Sequence, residues 1–449
     1  MPLNNLKKKL QKLLADGNQA EVMRKGFVYI VLRVLGLLLG YYFTLLVTRN
    51  FGSSVYGLVV LGLTLFMIAS IAGKKGFDIA LTRWVATGKY SKQEIGAYLA
   101  RASGNSFLVA GTLAAIVILA REWIALEVFK KPELGPYLLY AALTFPLWSQ
   151  ILIHIGLYRG LKRNTLFSFY NAFARFFAVV CLLLLGLWFY NDLTGVWVLK
   201  LHFLGVLLLF LSCLVITHGH LMYPFALRGK IDWKAFSRTS RPILVTSLIF
   251  ILLSWVDRFF VGFFQDEQTV AIYDVAAKLA ILVSFNLDAV NSILAPKVVE
   301  LYEAGQKDRL QQLVRFSANI SGLISLSTLA IVLIGHDLLL GIFGPEYQEG
   351  WILLFVLAFA QLANCFSGSV GILLQMTGYQ KLYQRIMIAG LLVNLILNGL
   401  LAPFYGAMGV ALATFASILT WNLYGIYFCR KKLGISAHVS LPLRIFKSK

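Results

Sequence analysis

Charge is what this chain has least of. Only 14% of its 449 residues are Asp, Glu, Lys or Arg, while 59% are hydrophobic. A soluble domain is typically about 45–50% apolar and about 25% charged. The charges also cluster between long apolar runs instead of alternating with them, which excludes an ordinary soluble globular domain. Cysteine is nearly as sparse. Cys181, Cys213, Cys365 and Cys429 are the only four, all in or at the edge of apolar runs. None forms a C-x-x-C pair, so neither a disulfide framework nor a thiolate metal site is indicated. Catalytic signatures are missing too: there is no Walker A loop, no H-E-x-x-H, no Rossmann fingerprint and no nucleophile elbow. No external loop is large enough to hold a catalytic domain. The expectation is a protein that is not an enzyme and needs no cofactor or metal. No cleavable signal peptide is expected, because the first apolar run carries Arg33 and continues to Thr48.

What the chain does have is apolar length. Runs of about 20 apolar residues match a hydrocarbon core roughly 30 Å thick. They recur about twelve times, from Phe27–Thr48 through Phe167–Phe189, Ile243–Phe264 and Val270–Leu294 to Ala407–Phe428. The reading is an all-α polytopic membrane protein. The second run, Leu58–Ala72, is short and ends at Gly73-Lys74-Lys75-Gly76. Ahead of the first run, Leu6, Leu10 and Leu13 fall at helical spacing among Lys7, Lys8, Lys9 and Lys12. That pattern suits a helix lying on the anionic inner leaflet, or equally a basic tail.

Lys and Arg number 41 against 20 Asp and Glu, a formal net charge of +21. In a soluble protein this would point to nucleic acid. Here the basic residues fall in alternate loops, Lys74 to Arg101, Arg159/Lys162/Arg163, Arg228 to Arg241, Lys297 to Arg309, Lys381/Arg385 and Arg430 to Lys432. The intervening loops are short and poor in Lys and Arg. The positive-inside rule accounts for this without nucleic acid, and places both termini in the cytoplasm.

The chain also repeats. IALEVFKKPELGPYLLYAALTF before the fourth run parallels LLLGIFGPEYQEGWILLFVLAF before the tenth, and FGSSVYGLVVLG parallels FQDEQTVAIYDVAAK. Each half holds six spans, so the halves are parallel pseudo-twofold repeats. The expected organisation is a basic N-terminal segment (1–26), a six-helix bundle (27–217), a cytoplasmic linker (218–242), a second six-helix bundle (243–428) and a basic tail (429–449). In transporters built this way, sites tend to lie between the repeats near the midplane.

Ionisable residues inside the runs stand out, because each costs roughly 2.5–3.5 kcal/mol at the centre of a membrane helix. Arg33 shares a helix face with Gly36, Gly40 and Thr44; the glycines suit close helix packing, and Arg33 either snorkels or meets an anion. Arg175, near midplane, shares a small polar face with Ser168, Asn171 and Ala172, and an anion contact is preferred there over a structural ion pair. Asp257 and Arg258 are adjacent in one run, and Asp274, Lys278 and Asp288 line a face of the next. Asp274 and Lys278, at i, i+4, suit a local pair. A network among Asp257, Arg258, Asp274 and Lys278 is expected, serving either mutual neutralisation or coupling. Lys200 and His202 read as snorkelling residues near an external end. His218 and His220 have no partners at metal-ligand spacing.

RNFGSSVYGLVVLGLTLF, the Asp in WVDRFFVGFF, QTVAIYDVAAKLA, APKVVELYEAG, and LLLGIFGPEYQEGWILLFVLAF with a later TGYQK turn, taken in order, resemble the polysaccharide (O-antigen-type, Wzx-like) flippases of the multidrug/oligosaccharidyl-lipid/polysaccharide exporter superfamily. The resemblance implies two six-helix bundles around a central cavity and alternating access. It implies a substrate of oligosaccharide on an undecaprenyl pyrophosphate carrier, moved across a bacterial inner membrane for surface polysaccharide, with membrane lipids around it and a polysaccharide polymerase as a possible contact. Arg33, Arg175, Arg258 and Lys278 are the positions that match basic cavity residues. Asp257, Asp274 and Asp288 are the candidates for a charge network coupled to H+ or Na+. The alternatives are a multidrug or cation antiporter of the same superfamily and a membrane polymerase or ligase.

The loop charges set a first test. A C-terminal fluorescent-protein fusion should fluoresce and a C-terminal alkaline phosphatase fusion should be inactive; an active phosphatase would reverse the assigned orientation.

Overall fold

Without water in the hydrocarbon, each backbone N–H and C=O must find its partner within the protein, and a helix supplies one for every residue of its interior. The structure, a computed structural model, describes residues 17–190, 192–225, 229 and 231–440. The amphipathic helix expected around Leu6, Leu10 and Leu13 lies outside the described residues, as do positions 441–449 of the expected basic tail. The described residues form helices and turns, with no strand among them.

In chain order the helical runs are α1 (Gly17–Gly73), α2 (Phe77–Ala86), α3 (Lys92–Val128), α4 (Leu134–Gly160), α5 (Asn164–Phe189), α6 (Trp197–His220), α7 (Trp233–Phe264), α8 (Glu267–Glu303), α9 (Lys307–Ile334), a short α10 (His336–Gly341), α11 (Pro345–Phe366), a short α12 (Val370–Met376) and α13 (Gln380–Leu433). Ten described helices are long and apolar enough to cross a membrane. A straight α1 of 57 residues would run about 85 Å, far more than one crossing needs. It is broken at Gly52 (φ 85°), and α13 is broken at Gly406 (φ 54°), backbone angles that glycine adopts without strain. The expected count of about twelve is reached only by taking each of these broken helices as two crossings.

The chain divides into two compact units. Among the described residues, the first comprises 17–47, 65–123 and 133–247; the second comprises 48–64, 124–132 and 248–440. The two short segments group with the second unit for identifiable reasons. Arg49 donates to the carbonyls of Ile342 and Gly341, 2.8 Å each, at the C-terminal end of α10, where a cation meets the negative end of the helix dipole. Lys131 is buried and donates to the Gln265 carbonyl at 2.6 Å, while Phe129 rests on Phe259. Burial pushes the Lys131 ammonium below its usual range, a shift the nearby Glu267 and Asp266 partly offset.

In the first unit α4 is enclosed, packed by α2, α3 and α6; in the second, α11 packs against α8, α9 and α13 but keeps Trp351, Ile352 and Phe359 exposed. These are the helices that the repeated sequence introduces. In the second unit, residues 435–440 are docked. Gln311 exchanges two hydrogen bonds with the Ser436 backbone, and the Val439 amide donates to Phe366.

In the first unit, the Gly36/Gly40 face of α1 lies against α5, as close packing of small residues predicts. A Cβ on Gly36 would sit 1.9 Å from the Ala172 carbonyl oxygen, and one on Gly40 would sit 3.3 Å from the Phe176 ring. Gly36→Leu should therefore lower the unfolding temperature in detergent by several degrees, an overpacking cost of about 1–3 kcal/mol. Gly104→Ala, facing open space, should leave it unchanged or raised; equal effects at both sites would remove the packing argument.

Candidate functional site

Two clusters of ionisable and polar side chains lie at membrane depth, one in each unit. The cluster of the second unit begins with a tight hairpin between α7 and α8. Asp266 caps α8, its Oδ1 accepting the Thr269 amide at 2.9 Å. Burial alone would push this carboxyl up; the Thr269 hydroxyl and amide and nearby Lys131 outweigh it and hold Asp266 below the usual carboxylate range. The part of α1 beyond Gly52 approaches the start of α8 so closely that a Cβ on Gly57 would fall 1.9 Å from the Glu267 carbonyl. This contact carries the neighbouring Tyr56 into reach of α8.

Asp274 is 1% exposed and is the hub. Its Oδ1 faces Arg258 Nε at 3.1 Å, and its Oδ2 faces Lys278 Nζ at 2.8 Å. The Tyr56 hydroxyl donates to the same Oδ2 at 2.6 Å and itself accepts a hydrogen bond from Lys278. Arg258 also donates to the Ser254 carbonyl at 2.7 Å, one turn back on α7. The expected i, i+4 pair between Asp274 and Lys278 is present.

Asp257, next to Arg258 in sequence, stands apart from these ion pairs. Its Oδ1 accepts from Asn394 (3.1 Å) and Asn398 (3.2 Å), and its Oδ2 from Thr414 (2.7 Å) and Tyr273 (3.3 Å). Every donor is neutral. The expected four-residue network is thus corrected to a three-residue one with Tyr56 added. Consecutive residues on a helix point about 100° apart, so Asp257 and Arg258 serve different neighbours. Asn398 Oδ1, beside the Asp257 carboxylate, is buried without a hydrogen-bond partner.

Asp288 is exposed and lies beyond a 3-10 turn at Leu282–Ser284 that breaks the regular period of α8. With Asp257 and Arg258 it borders a cavity of about 440 Å³ in the second unit. That cavity is lined by the amides Asn291, Gln361, Asn364, Gln375, Asn394 and Asn422, and by Tyr383 and Trp421. Amides within apolar runs were the signal missed in the sequence. Asn394 and Asn398, at i, i+4 within LLVNLILNGL, are as unusual in hydrocarbon as the charges were.

In the first unit, Arg175 follows a π-helical turn at Phe169–Phe173, a distortion frequent at functional sites. Its guanidinium lies over the rings of Phe176 (4.6 Å), Trp148 (5.4 Å) and Phe66 (5.7 Å) and contacts Met67 Sδ at 3.2 Å. Among the described residues no carboxylate pairs with it. His202 also meets Phe66, edge to face at 4.9 Å. It is 4% exposed, with Nε2 unpartnered, so it is buried and does not snorkel as expected. Lys200 instead rests on Trp197 at 3.8 Å. Arg33 is half-buried, one turn before Gly36 on α1. No group of three or more His, Cys, Asp or Glu among the described residues is arranged to hold a metal.

The described residues are helical, with ten helices long and apolar enough to cross a membrane, and each of the two units holds a buried polar cluster. The fold is shared with an inward-facing multidrug resistance MATE family transporter of the MOP superfamily (TM-score 0.75, 13% identity, 91% of this chain and 98% of that one). It is shared equally with the lipid II flippase MurJ in an inward closed conformation (TM-score 0.74, 14% identity, 91% and 87%). The family model described as "Polysaccharide biosynthesis protein" matches residues 22–301, and the chain belongs to that family. The MatE family model also matches, over 242–400. Among curated relatives, the protein named "Probable flippase AglR" of Haloferax volcanii is 25% identical over 177 residues. That stretch is 38% of this chain and covers only 37% of the relative's length.

The hub geometry predicts unequal effects. Asp274→Asn removes the carboxylate that Arg258 and Lys278 share and should destabilise the protein by about 3–5 kcal/mol. Arg258→Met combined with Asp274→Leu should recover much of that loss. Thermal unfolding of the purified variants checks it, and a double variant no better than Asp274→Asn would dismiss the hub.

Proposed function

We propose that the protein is a flippase that carries undecaprenyl-pyrophosphate-linked oligosaccharide from the cytoplasmic to the periplasmic leaflet of a bacterial inner membrane, by alternating access, for O-antigen, capsule or exopolysaccharide synthesis. It acts as a carrier and not a catalyst, with both termini cytoplasmic. The observation that carries this reading is the amide-lined cavity of the second unit. Asn and Gln side chains both donate and accept, which suits sugar hydroxyls, and Tyr383 and Trp421 add faces on which a sugar ring packs. Family membership and a relative named as a flippase support the same reading.

Within it, Arg175 takes the pyrophosphate. Its faces are held by aromatic rings, and no carboxylate competes for its N–H groups, so a bidentate contact with phosphate is available. Arg33 is the second cationic candidate. Arg258 and Lys278 are both engaged by Asp274 and rank behind Arg175 and Arg33 as anion candidates. Asp257 is the coupling carboxylate, with Asp288 at the cavity rim. Its four hydrogen-bond donors are all neutral, and the unpartnered Asn398 Oδ1 beside it supplies a second oxygen for H+ or Na+ exchange. A second reading, a multidrug or cation antiporter, is favoured by the MatE match and by the same Asp257 arrangement.

Reconstitution into proteoliposomes with a lipid-linked oligosaccharide, read by lectin or periodate accessibility, separates the two. Arg175→Ala should insert normally and cut translocation by about 10- to 100-fold, the loss of a charge-assisted contact worth about 1.5–3 kcal/mol. Asp257→Asn should abolish the response to an imposed H+ or Na+ gradient. Dye efflux driven by such a gradient, with no movement of the glycan lipid, would replace the flippase reading with the antiporter.

A further inference from the structure

A second concentration of positive charge lies in the first unit, well away in sequence from Arg175 and bordering none of the residues assigned to transport above. The turn between α1 and α2, the first third of α3 and the first three turns of α7 enclose two adjoining cavities of about 750 and 250 Å³. The two share Trp233, Ser237 and Arg241 as a common wall. The cleft holds five cations, Lys75, Arg101, Lys234, Arg238 and Arg241, and one carboxylate, Asp232. Asp232 Oδ1 is engaged at the start of α7, accepting the Ala235 amide at 2.9 Å. None of the five cations forms an ion pair with a carboxylate among the described residues.

Several features set these side chains in place. Arg101 lies over the Trp233 ring at 5.1 Å, and Lys75 over the Phe77 ring at 5.7 Å. Trp233 and Phe77 each stack on Phe236 and meet each other at a tilt, ring centroids 5.5 Å apart. Lys75 has a left-handed backbone (φ 54°) between Lys74, which pairs with Asp78, and Gly76, a conformation that is costly without glycine. An aromatic surface that holds the faces of the basic groups leaves their N–H edges for a ligand.

The depth of the cleft decides the kind of anion. The apolar part of α7 starts at Ile243 and that of α3 at Ser106. Arg241/Leu244 and Arg101/Asn105 therefore straddle the boundary between the polar and apolar zones on the side the loop charges assign to the cytoplasm. Basic recesses between helices at this level recognise anionic lipid headgroups. Phe77 and Leu244 line the smaller cavity and give an acyl or prenyl chain apolar contact.

We infer that this cleft binds the phosphate of an anionic membrane lipid, clamping the α1–α2 turn, α3 and the start of α7 together. The lipid is a bilayer phospholipid or a prenyl phosphate; the shared chemistry is a lipid-borne phosphate. Purified full-length protein in detergent, titrated by native mass spectrometry and thermal unfolding with cardiolipin, undecaprenyl phosphate, phosphatidylcholine and inorganic phosphate, tests this. Cardiolipin or undecaprenyl phosphate should bind and raise the unfolding temperature, and whichever binds more tightly identifies the source. Each Arg→Ser change at 101, 238 or 241 should weaken that binding about fivefold, and all three together about a hundredfold. Phosphatidylcholine binding should not change. If the triple variant fails to fold, Arg238→Ser, at an exposed position, gives the same reading alone. Unchanged lipid binding in these variants, or displacement of the lipid by millimolar inorganic phosphate, would overturn the inference.

Discussion

A carboxylate at membrane depth must be answered by the protein itself, and the second unit is arranged around that requirement at Asp274. No single partner suffices. Arg258 comes from the preceding helix, Lys278 from the next turn of the same helix, and Tyr56 from a segment more than two hundred residues earlier. The last of these explains several local features together. The chain breaks at Gly52, places a side-chain-free Gly57 against the Glu267 carbonyl, and anchors Arg49 on the end of α10. Those contacts make 48–64 part of the second unit although it lies within the first quarter of the chain. A buried ion pair is not by itself a source of stability, since desolvation offsets much of the Coulomb gain. What it does supply is geometry: α7, α8 and the outer part of α1 are fixed to one another by charges that none of them can hold alone.

With Asp274 satisfied, the charges that remain are informative by contrast. Asp257 is surrounded by amides and hydroxyls, Arg175 by aromatic rings. Neither side chain forms a salt bridge among the described residues: Asp257 accepts hydrogen bonds from neutral donors in the second unit, and Arg175 lies over rings in the first. In water such differences would matter little, but the low dielectric of a membrane protein's interior makes an uncancelled charge a strong attractor for a mobile ion of opposite sign.

Much of this was legible in the sequence, because membranes impose strong rules. Helix positions followed from apolar length, the Gly36/Gly40 packing face from periodicity, and the Asp274–Lys278 pair from i, i+4 spacing. What was not legible depended on distance along the chain or on direction around a helix. Nothing in VDRFF says that Asp257 and Arg258 serve different neighbours; that follows from where α13 and α8 lie. Tyr56 reads as an ordinary aromatic until Gly57 brings it to Asp274. His202 reads as an interfacial residue by its distance from the loop, yet the packing of Phe66 buries it. The amides of α13 carry no charge and so do not stand out among ionisable residues, yet in hydrocarbon an unpaired amide is also expensive.

The net charge of +21 shows how one number can mix separate causes. Most of it follows from orientation, since the positive-inside rule asks for basic cytoplasmic loops and nothing more specific. A loop charge placed for orientation has no reason to meet other such charges from distant loops, and it is free to pair with nearby carboxylates. The cleft between the α1–α2 turn, α3 and α7 departs from that expectation on both counts: its cations arrive from three separate stretches of chain, and its one carboxylate is engaged with the backbone at the start of α7. Stacking on Trp233 and Phe77 further restricts side chains that orientation alone would leave mobile. Convergence, absence of counter-charge and restricted geometry together separate a binding surface from a topological signal, and they are properties of the folded chain that no count of lysines and arginines contains.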